Sequence, residues 1–293
     1  MIDIDFLPPH LIILGGSYIG LEFAQAYRRF GSDVTVLELA PRLIAREDED
    51  VSHAVADFLK EEGIDVRVDS KVVGVEKQGN SIAVKVESAG KVSQVVGTHM
   101  LVAIGRRPNT DDLGLYNAGI ATDSHGYIQV DDQLRTNVPG IWAMGDCNGR
   151  GAFTHTSWND FEIVAANILD NEQRRVSERI TAYALYTDPP LARAGMTEQE
   201  VRKTGKPALV STMAMEDVSR AYENGETKGF MKILADRDSK QDSWRVVAWT
   251  CRRRGHPLHY RSHVRQSTLC GHATCNAHSS NRFRIYSDHD ARF

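Results

Sequence analysis

No apolar run in this 293-residue chain reaches the length of a bilayer crossing, and its opening stretch, MIDIDFLPPH, has neither the basic start nor the apolar core of a secretory signal. The expectation is a cytoplasmic protein with no membrane partner. Cysteine is scarce: four residues without a regular framework fit a reducing compartment and exclude a disulfide-stapled scaffold. There is no internal repeat. What remains, 41% hydrophobic and 25% charged residues at a net charge of −4, is the composition of a globular protein. The length allows two domains of ordinary size.

A second set of absences is local. From Asp242 to Phe293 there is no Lys and no Glu; the charges are nine Arg and three Asp, and six of the eleven His and three of the four Cys also lie there. Cys251, Cys270, Cys275, His272 and His278 match no familiar zinc-ligand spacing, so no metal site is expected. The run Arg252-Arg253-Arg254 gives any basic tail a weak, salt-sensitive affinity for nucleic acid, and no specific nucleic-acid partner is expected. A segment this polar is expected to be disordered.

Upstream, the pattern is regular. Leu11-Ile12-Ile13-Leu14 reads as a buried parallel strand ending in Gly15-Gly16. Ile19, Leu21, Phe23, Ala24 and Tyr27 give the following helix its apolar face, and Gly31 closes it. Val34–Glu38 reads as a second strand, and residues 49–62 as a second helix with acids at its positive end. Three β-rich segments follow, Val66–Lys77, Ser81–Val86 and Ser93–Val96, punctuated by Gly79-Asn80 and Ala89-Gly90; they predict an antiparallel meander. His99–Gly105 reads as a return strand. Gly140–Ala143 reads as a strand leading into Gly145-Asp146, with a helix from about Asp160 to Leu169. Thr197-Glu198-Gln199-Glu200 is a capping box.

The glycine turn carries the chemistry. In Gly15-Gly16-Ser17-Tyr18-Ile19-Gly20 the first glycine permits a tight turn, and the middle position brings backbone close to a pyrophosphate. Gly20 lets helix and strand pack closely. The helix end offers N–H groups and a positive dipole to the phosphates. Glu38, about 20 residues on, is placed to accept from the ribose hydroxyls and to repel a 2′-phosphate, which favours NADH over NADPH. Ser17 departs from the pattern by standing where a second glycine is expected, and its side chain is small enough to be tolerated.

Three motifs in order, LIILGGSYIGLEFAQAYRRFGSDVTVLE, LVAIGRRPNT and TNVPGIWAMGDC, followed by PPLARAGMTEQE, resemble the class I pyridine nucleotide-disulfide oxidoreductases, the flavoproteins that include dihydrolipoamide dehydrogenase and mercuric reductase. The resemblance covers residues 6–241. It implies an α/β fold: a Rossmann-type NAD-binding domain with an antiparallel β-meander over 1–112, the C-terminal part of an FAD-binding domain over 113–180, and the start of an α+β dimerisation domain over 181–241. It implies NAD and FAD as cofactors and a homodimeric parent enzyme. By position, Gly15, Gly16, Ser17, Tyr18, Ile19 and Gly20 would hold the pyrophosphate, Glu38 the ribose and Val72 the adenine, with Gly105 on the nicotinamide side. Tyr18 resembles the lid between nicotinamide and flavin, and Glu22 the acid beside the carboxamide. Asp146 matches the acid on the FAD ribityl chain, and Ala152, Phe153, Thr154 and His155 match the stretch lining the flavin ring. Blander readings stand beside these: Tyr18 packing on its helix face, Asp146 capping the next segment, His155 as a surface residue. Cys147 reads as a small core residue.

The family's redox C-x4-C pair and its first glycine fingerprint are not found before Leu11, and the family's His-Pro and Glu acid–base pair is not found after Gln241. Cys270 and Cys275 lack the setting of a redox pair, so no catalytic residue is assigned. A one-base shift of reading frame near Gln241 makes family-like sequence obtainable over the tail, so the chain is expected to be a fragment with a frameshifted end, 242–293. The implied activity is hydride transfer from NADH to FAD and on to a disulfide-type or metal acceptor, with the isolated chain expected to be inactive. The alternative is a nucleotide-binding remnant without turnover.

Overall fold

A computed structural model describes residues 4–237 and the backbone of two further strands, 244–248 and 284–287. Two compact units result: one holds residues up to Ile104 together with Thr181 onward, the other Gly105–Ile180.

The first unit opens with β1 (His10–Leu14), α1 (Tyr18–Phe30), β2 (Asp33–Leu37) and α2 (Glu49–Glu61). Leu11–Leu14 are all buried, as a central parallel strand requires. In α1, Gly31 ends the helix at φ +110, donating to Arg28 O, while Ser32 N–H closes back on Tyr27 O; only a residue without Cβ takes that conformation without strain. Val51, Val55, Phe58 and Leu59 form the buried face of α2. Next come β3 (Asp65–Arg67), β4 (Lys71–Gln78), β5 (Ser81–Ser88), β6 (Lys91–Gly97) and β7 (His99–Val102). The parallel sheet has the order β3-β2-β1-β7, and β4-β5-β6 is the expected meander. One boundary differs from expectation. Val66 belongs to the parallel sheet, not the meander, because a turn with Asp69 at φ +48 separates β3 from β4.

The second unit contributes one long helix, α3 (Thr154–Leu169), before the chain re-enters the first unit after Ile180. It does so as β8 (Ala182–Leu185), β9 (Leu191–Ala194), α4 (Glu198–Lys203), β10 (Ala208–Ala214), α5 (Ser219–Asn224), β11 (Phe230–Asp236), β12 (Trp244–Ala248) and β13 (Arg284–Ser287). These strands make an antiparallel sheet in the order β13-β10-β11-β12-β9-β8. The capping box is formed: Thr197 Oγ1 accepts from Glu200 N–H at 3.0 Å, and Glu200 Oε2 accepts from Thr197 N–H at 2.7 Å. A single apolar cluster joins the two stretches, with Leu11, Ile13 and Leu21 sharing a core with Leu185, Leu191 and Leu234. Of the segment 242–293, the described part is the backbone of β12 and β13; the expectation of disorder for the rest, with Cys251, Cys270 and Cys275, lies outside the described residues.

Within the second unit, Gly140–Ala143 forms an isolated bridge, Arg135 to Trp142, in place of the expected strand. Its helix α3 starts at Thr154 and not near Asp160. The start of the helix escapes apolar periodicity because inward positions in its first two turns, Thr156 and Asp160, are polar. Thr156 Oγ1 accepts from Phe153 N–H at 3.1 Å and donates to Phe153 O at 2.6 Å, satisfying the helix start from within.

Candidate functional site

The glycine turn lies between β1 and α1, and its three glycines are needed for different reasons. Gly15 is at φ +107, and a Cβ there would stand 2.6 Å from Ala103 O. At Gly16 a Cβ would stand 2.5 Å from Leu43 Cδ2 and 3.1 Å from Glu38. At Gly20 it would stand 2.1 Å from Gly15 O, so any side chain would push α1 off the turn. Ser17 sits at φ −106, ψ −174, an ordinary extended conformation, and is exposed. Glycine is therefore not demanded at that position, which accounts for the departure from the glycine pattern. The first α1 hydrogen bond runs from Leu21 N–H to Ser17 O, so the amides ahead of it lie at the open end of the helix.

Glu38 follows β2 and is held by two backbone donors: Gly16 N–H at 2.5 Å to Oε2 and Ala40 N–H at 2.7 Å to Oε1. Each carboxylate oxygen keeps further acceptor capacity. Glu38 thus meets the glycine turn directly, though 22 residues separate it from Gly16. Val72, on β4, packs against a cluster that contains Leu14 and Leu37, the last residues of β1 and β2. A cradle that tolerates no Cβ at Gly15, Gly16 or Gly20, beside a fixed carboxylate at an open helix end, suits a dinucleotide.

Tyr18 is the first residue of α1, with its ring edge-on to Tyr183 at 5.3 Å. Burial, and then the Glu47 carboxylate, push its phenol up to about 12. Glu22 accepts from Tyr186 N–H at 2.8 Å through Oε1. Ile19 is exposed.

Below this lies a buried charge network that no local pattern announced. Arg193 on β9 donates to Glu47 Oε2 through Nε at 2.8 Å and also through Nη2, and to Met196 O at 3.2 Å. Glu47 is fully buried, and its Oε1 has no hydrogen-bond partner among the described residues. Burial raises its pKa, against the lowering effect of Arg193. Lys232 on β11 meets Asp50 at 2.9 Å, Glu198 at 2.5 Å and Asp48 at 3.7 Å. Its charge is retained by Glu198 and Asp50 despite burial.

In the second unit, Gly145 at φ +78 leads into a short 3-10 turn over Asp146–Asn148. Asp146 is exposed, with Oδ2 3.3 Å from Arg106 Nη1. Asp160 is buried beneath the turn: its Oδ2 accepts from Gly145 N–H and from Asn148 Nδ2, each at 2.8 Å, and Oδ1 pairs with Arg179. Arg106 also donates to Ala152 O at 3.0 Å. The rings of Phe153 and His155 stack at 5.3 Å at the start of α3, next to Thr154, and His155 is exposed. Gly105, at φ +146, opens this unit. Cys147 is half-buried, a correction to its reading as a core residue: the 3-10 turn lifts it out, and its Sγ–H donates to Met144 O at 3.3 Å. Burial pushes its thiol up, away from the thiolate.

Residues 2–160 match the pyridine nucleotide-disulphide oxidoreductase family, and residues 181–242 match that family's dimerisation domain. The chain belongs to the class I pyridine nucleotide-disulfide oxidoreductases. The chain is 37% identical over 242 residues to the probable pyridine nucleotide-disulfide oxidoreductase RclA of Escherichia coli, covering 82% of this chain and 54% of the relative. It is 36% identical over 235 residues to a mercuric reductase of Streptomyces lividans, covering 80% and 49%, and 33% identical to a dihydrolipoyl dehydrogenase of Thermus scotoductus, covering 80% and 50%. A solved structure of E. coli RclA, described as an HOCl-induced flavoprotein disulfide reductase, superposes with a TM-score of 0.78 at 32% identity, covering 89% of this chain and 64% of that one. The chain spans about half the length of the curated relatives it matches. The family is FAD-dependent, uses NAD(P)H and is homodimeric through its dimerisation domain. Among the described residues no helix is long and apolar enough to cross a membrane.

Proposed function

We propose that this chain is the NAD-binding part, with one side of the FAD site and the start of the dimer interface, of a cytoplasmic homodimeric enzyme that passes a hydride from NADH to FAD and on to a disulfide-type or metal acceptor. The observation that carries the reading is the glycine turn closed against Glu38. The domain reading is 1–112 for NAD, 113–180 for FAD and 181–241 for the interface. In it, backbone at Gly15–Gly20 and the open end of α1 hold the pyrophosphate. Glu38 accepts from the adenosine ribose, and its charge turns away a 2′-phosphate, favouring NADH. Val72 flanks the adenine; Tyr18, Glu22 and Gly105 serve the nicotinamide side. Asp146 accepts from ribityl hydroxyls, oriented by Arg106 and by the buried Asp160 beneath the turn, and Ala152–His155 line the flavin ring. FAD, when bound, supplies the two-electron acceptor for the hydride.

Binding isotherms test the first step. NADH is expected to bind more tightly than NADPH, and Glu38→Gln to weaken NADH by about tenfold or more, the scale of a charge-assisted hydrogen bond. The same change should relieve the penalty on NADPH. Equal affinities in the unaltered chain, or an unchanged ratio in the variant, would refute the role of Glu38. Visible absorbance of the purified chain separates the two fates of the flavin site: a yellow protein that oxidises NADH supports turnover, and a colourless one that binds NADH is a nucleotide-binding remnant.

A further inference from the structure

Four side chains on one face of α1 meet a single short segment, Tyr183–Asp188. Tyr18, Glu22, Gln25 and Arg29 lie at i, i+4, i+7 and i+11, the spacing of one helical stripe. Gln25 is buried and reads the segment in two directions: its Oε1 accepts from Asp188 N–H and its Nε2 donates to Asp188 O, both at 2.7 Å. Arg29 clamps the same residue through Asp188 Oδ2 at 2.7 Å and Asp188 O at 3.0 Å. One turn back, Tyr186 N–H donates to Glu22 at 2.8 Å. A two-point amide contact leaves no freedom to slide by a residue, so the register of the segment along α1 is fixed. That register places Tyr183 against Tyr18 at the end of the helix where the glycine turn opens, with the rings inclined at 64°.

We propose that Tyr183 is a positioning residue for dinucleotide binding, its ring holding Tyr18 against β8 and so limiting the rotamers that Tyr18 can send across the nicotinamide side of the glycine turn. The inference rests on the reading of Gly15–Gly20 as the pyrophosphate turn and of Tyr18 as nicotinamide-facing. An edge-to-face aromatic pair biases a rotamer equilibrium by about two- to tenfold, and affinity scales with the fraction of chains in the competent state. The segment thereby links the dimerisation part of the chain to the occupancy of the dinucleotide site. The stripe contacts themselves only set register; the ring of Tyr183 sets the Tyr18 rotamer.

The test is titration of the full chain with NADH and with ADP-ribose, which lacks the nicotinamide. Tyr183→Leu is expected to weaken NADH about two- to tenfold and to leave ADP-ribose unchanged, whereas Tyr183→Phe keeps the ring and should bind both as the unaltered chain does. In a Tyr18→Ala background, Tyr183→Leu should have no further effect on NADH. Should leucine prevent folding, Tyr183→Val suits a strand and carries the same expectations. The proposal is overturned by an unchanged NADH affinity, by equal weakening of NADH and ADP-ribose, or by an effect that persists without Tyr18. If the unaltered chain binds neither ligand, the glycine-turn reading itself falls, and this one with it. If it binds both and Tyr183→Leu is silent, only the role of Tyr183 falls.

Discussion

Arg193→Met is expected to remove about 3–5 kcal/mol of stability, because it breaks an ion pair that has no access to water. The relative exposures are 2% for the Arg193 side chain and 0% for Glu47, which places the pair outside the regime of surface salt bridges worth under about 1 kcal/mol. Methionine replaces the stem of the arginine but none of its donors. Asp48 keeps Lys232 and the N–H groups of Glu198 and Gln199, at 3.1 and 3.3 Å, so its charge stays compensated. Glu47 keeps nothing comparable: both of its contacts to Arg193 enter one oxygen, and the other has no partner among the described residues. The cost therefore falls on one carboxylate. For a unit of this size the loss corresponds to about 6–20 °C in melting temperature. Two controls follow from the same geometry. Glu47→Met with Arg193→Met removes both charges and should recover most of the loss. The deficit should also depend on pH. Burial already holds the Glu47 carboxyl above the ordinary carboxylate range, and loss of Arg193 raises it further. An acid whose folded pKa is raised contributes stability below its unfolded pKa and loses it as pH rises through the folded one. The Arg193→Met deficit should accordingly narrow as pH is lowered from about 7.5 toward 5. Urea unfolding at both pH values is the assay. A deficit below about 1 kcal/mol, or one that the double substitution fails to relieve, refutes the reasoning.

Gly20→Ala should abolish measurable NADH binding and destabilise the first unit by at least about 1–3 kcal/mol, because its Cβ would stand 2.1 Å from a backbone oxygen that cannot rotate away; near-normal NADH affinity in a titration would count against the turn geometry. Asp160→Asn should lower stability by about 1–3 kcal/mol, since the partly buried Arg179 loses its charge partner while Gly145 and Asn148 lose part of their acceptor. Denaturation measured by fluorescence checks this, and a change within about 0.5 kcal/mol would show that the turn is held by other contacts.

The parts of the fold legible in the sequence are those fixed by neighbours in the chain. Leu11–Leu14, the glycine turn and Gly31 are recognisable because strand burial, tight turning and helix termination are each decided within a few residues. The capping box at Thr197 is local in the same way. The start of α3 is hidden because Thr156 and Asp160 fill inward positions where apolar residues are expected, each with its own hydrogen-bond partners. The Arg193–Glu47 pair spans 146 residues, and Lys232–Asp50 spans 182. No window of sequence contains both halves. The only local hint is an arginine between alanines in Leu191–Ala194, a strand otherwise suited to burial. For Glu38 the motif supplies the position, while the structure adds the two amides that orient it.

The shared core of the first unit has a consequence for how the molecule comes into being. Leu11, Ile13 and Leu21 lie in one apolar cluster with Leu185, Leu191 and Leu234, while Gly105–Ile180 forms a unit of its own. During synthesis the inserted unit is complete before the first one has received its closing strands. The early strands and α2 must wait with part of their apolar surface uncovered, for the span of more than a hundred residues of translation between β7 and β11. Closing that loop is a long-range event, slow by topology. The nascent chain is thus most exposed to mispairing in the interval when its glycine turn is already built and its core is not.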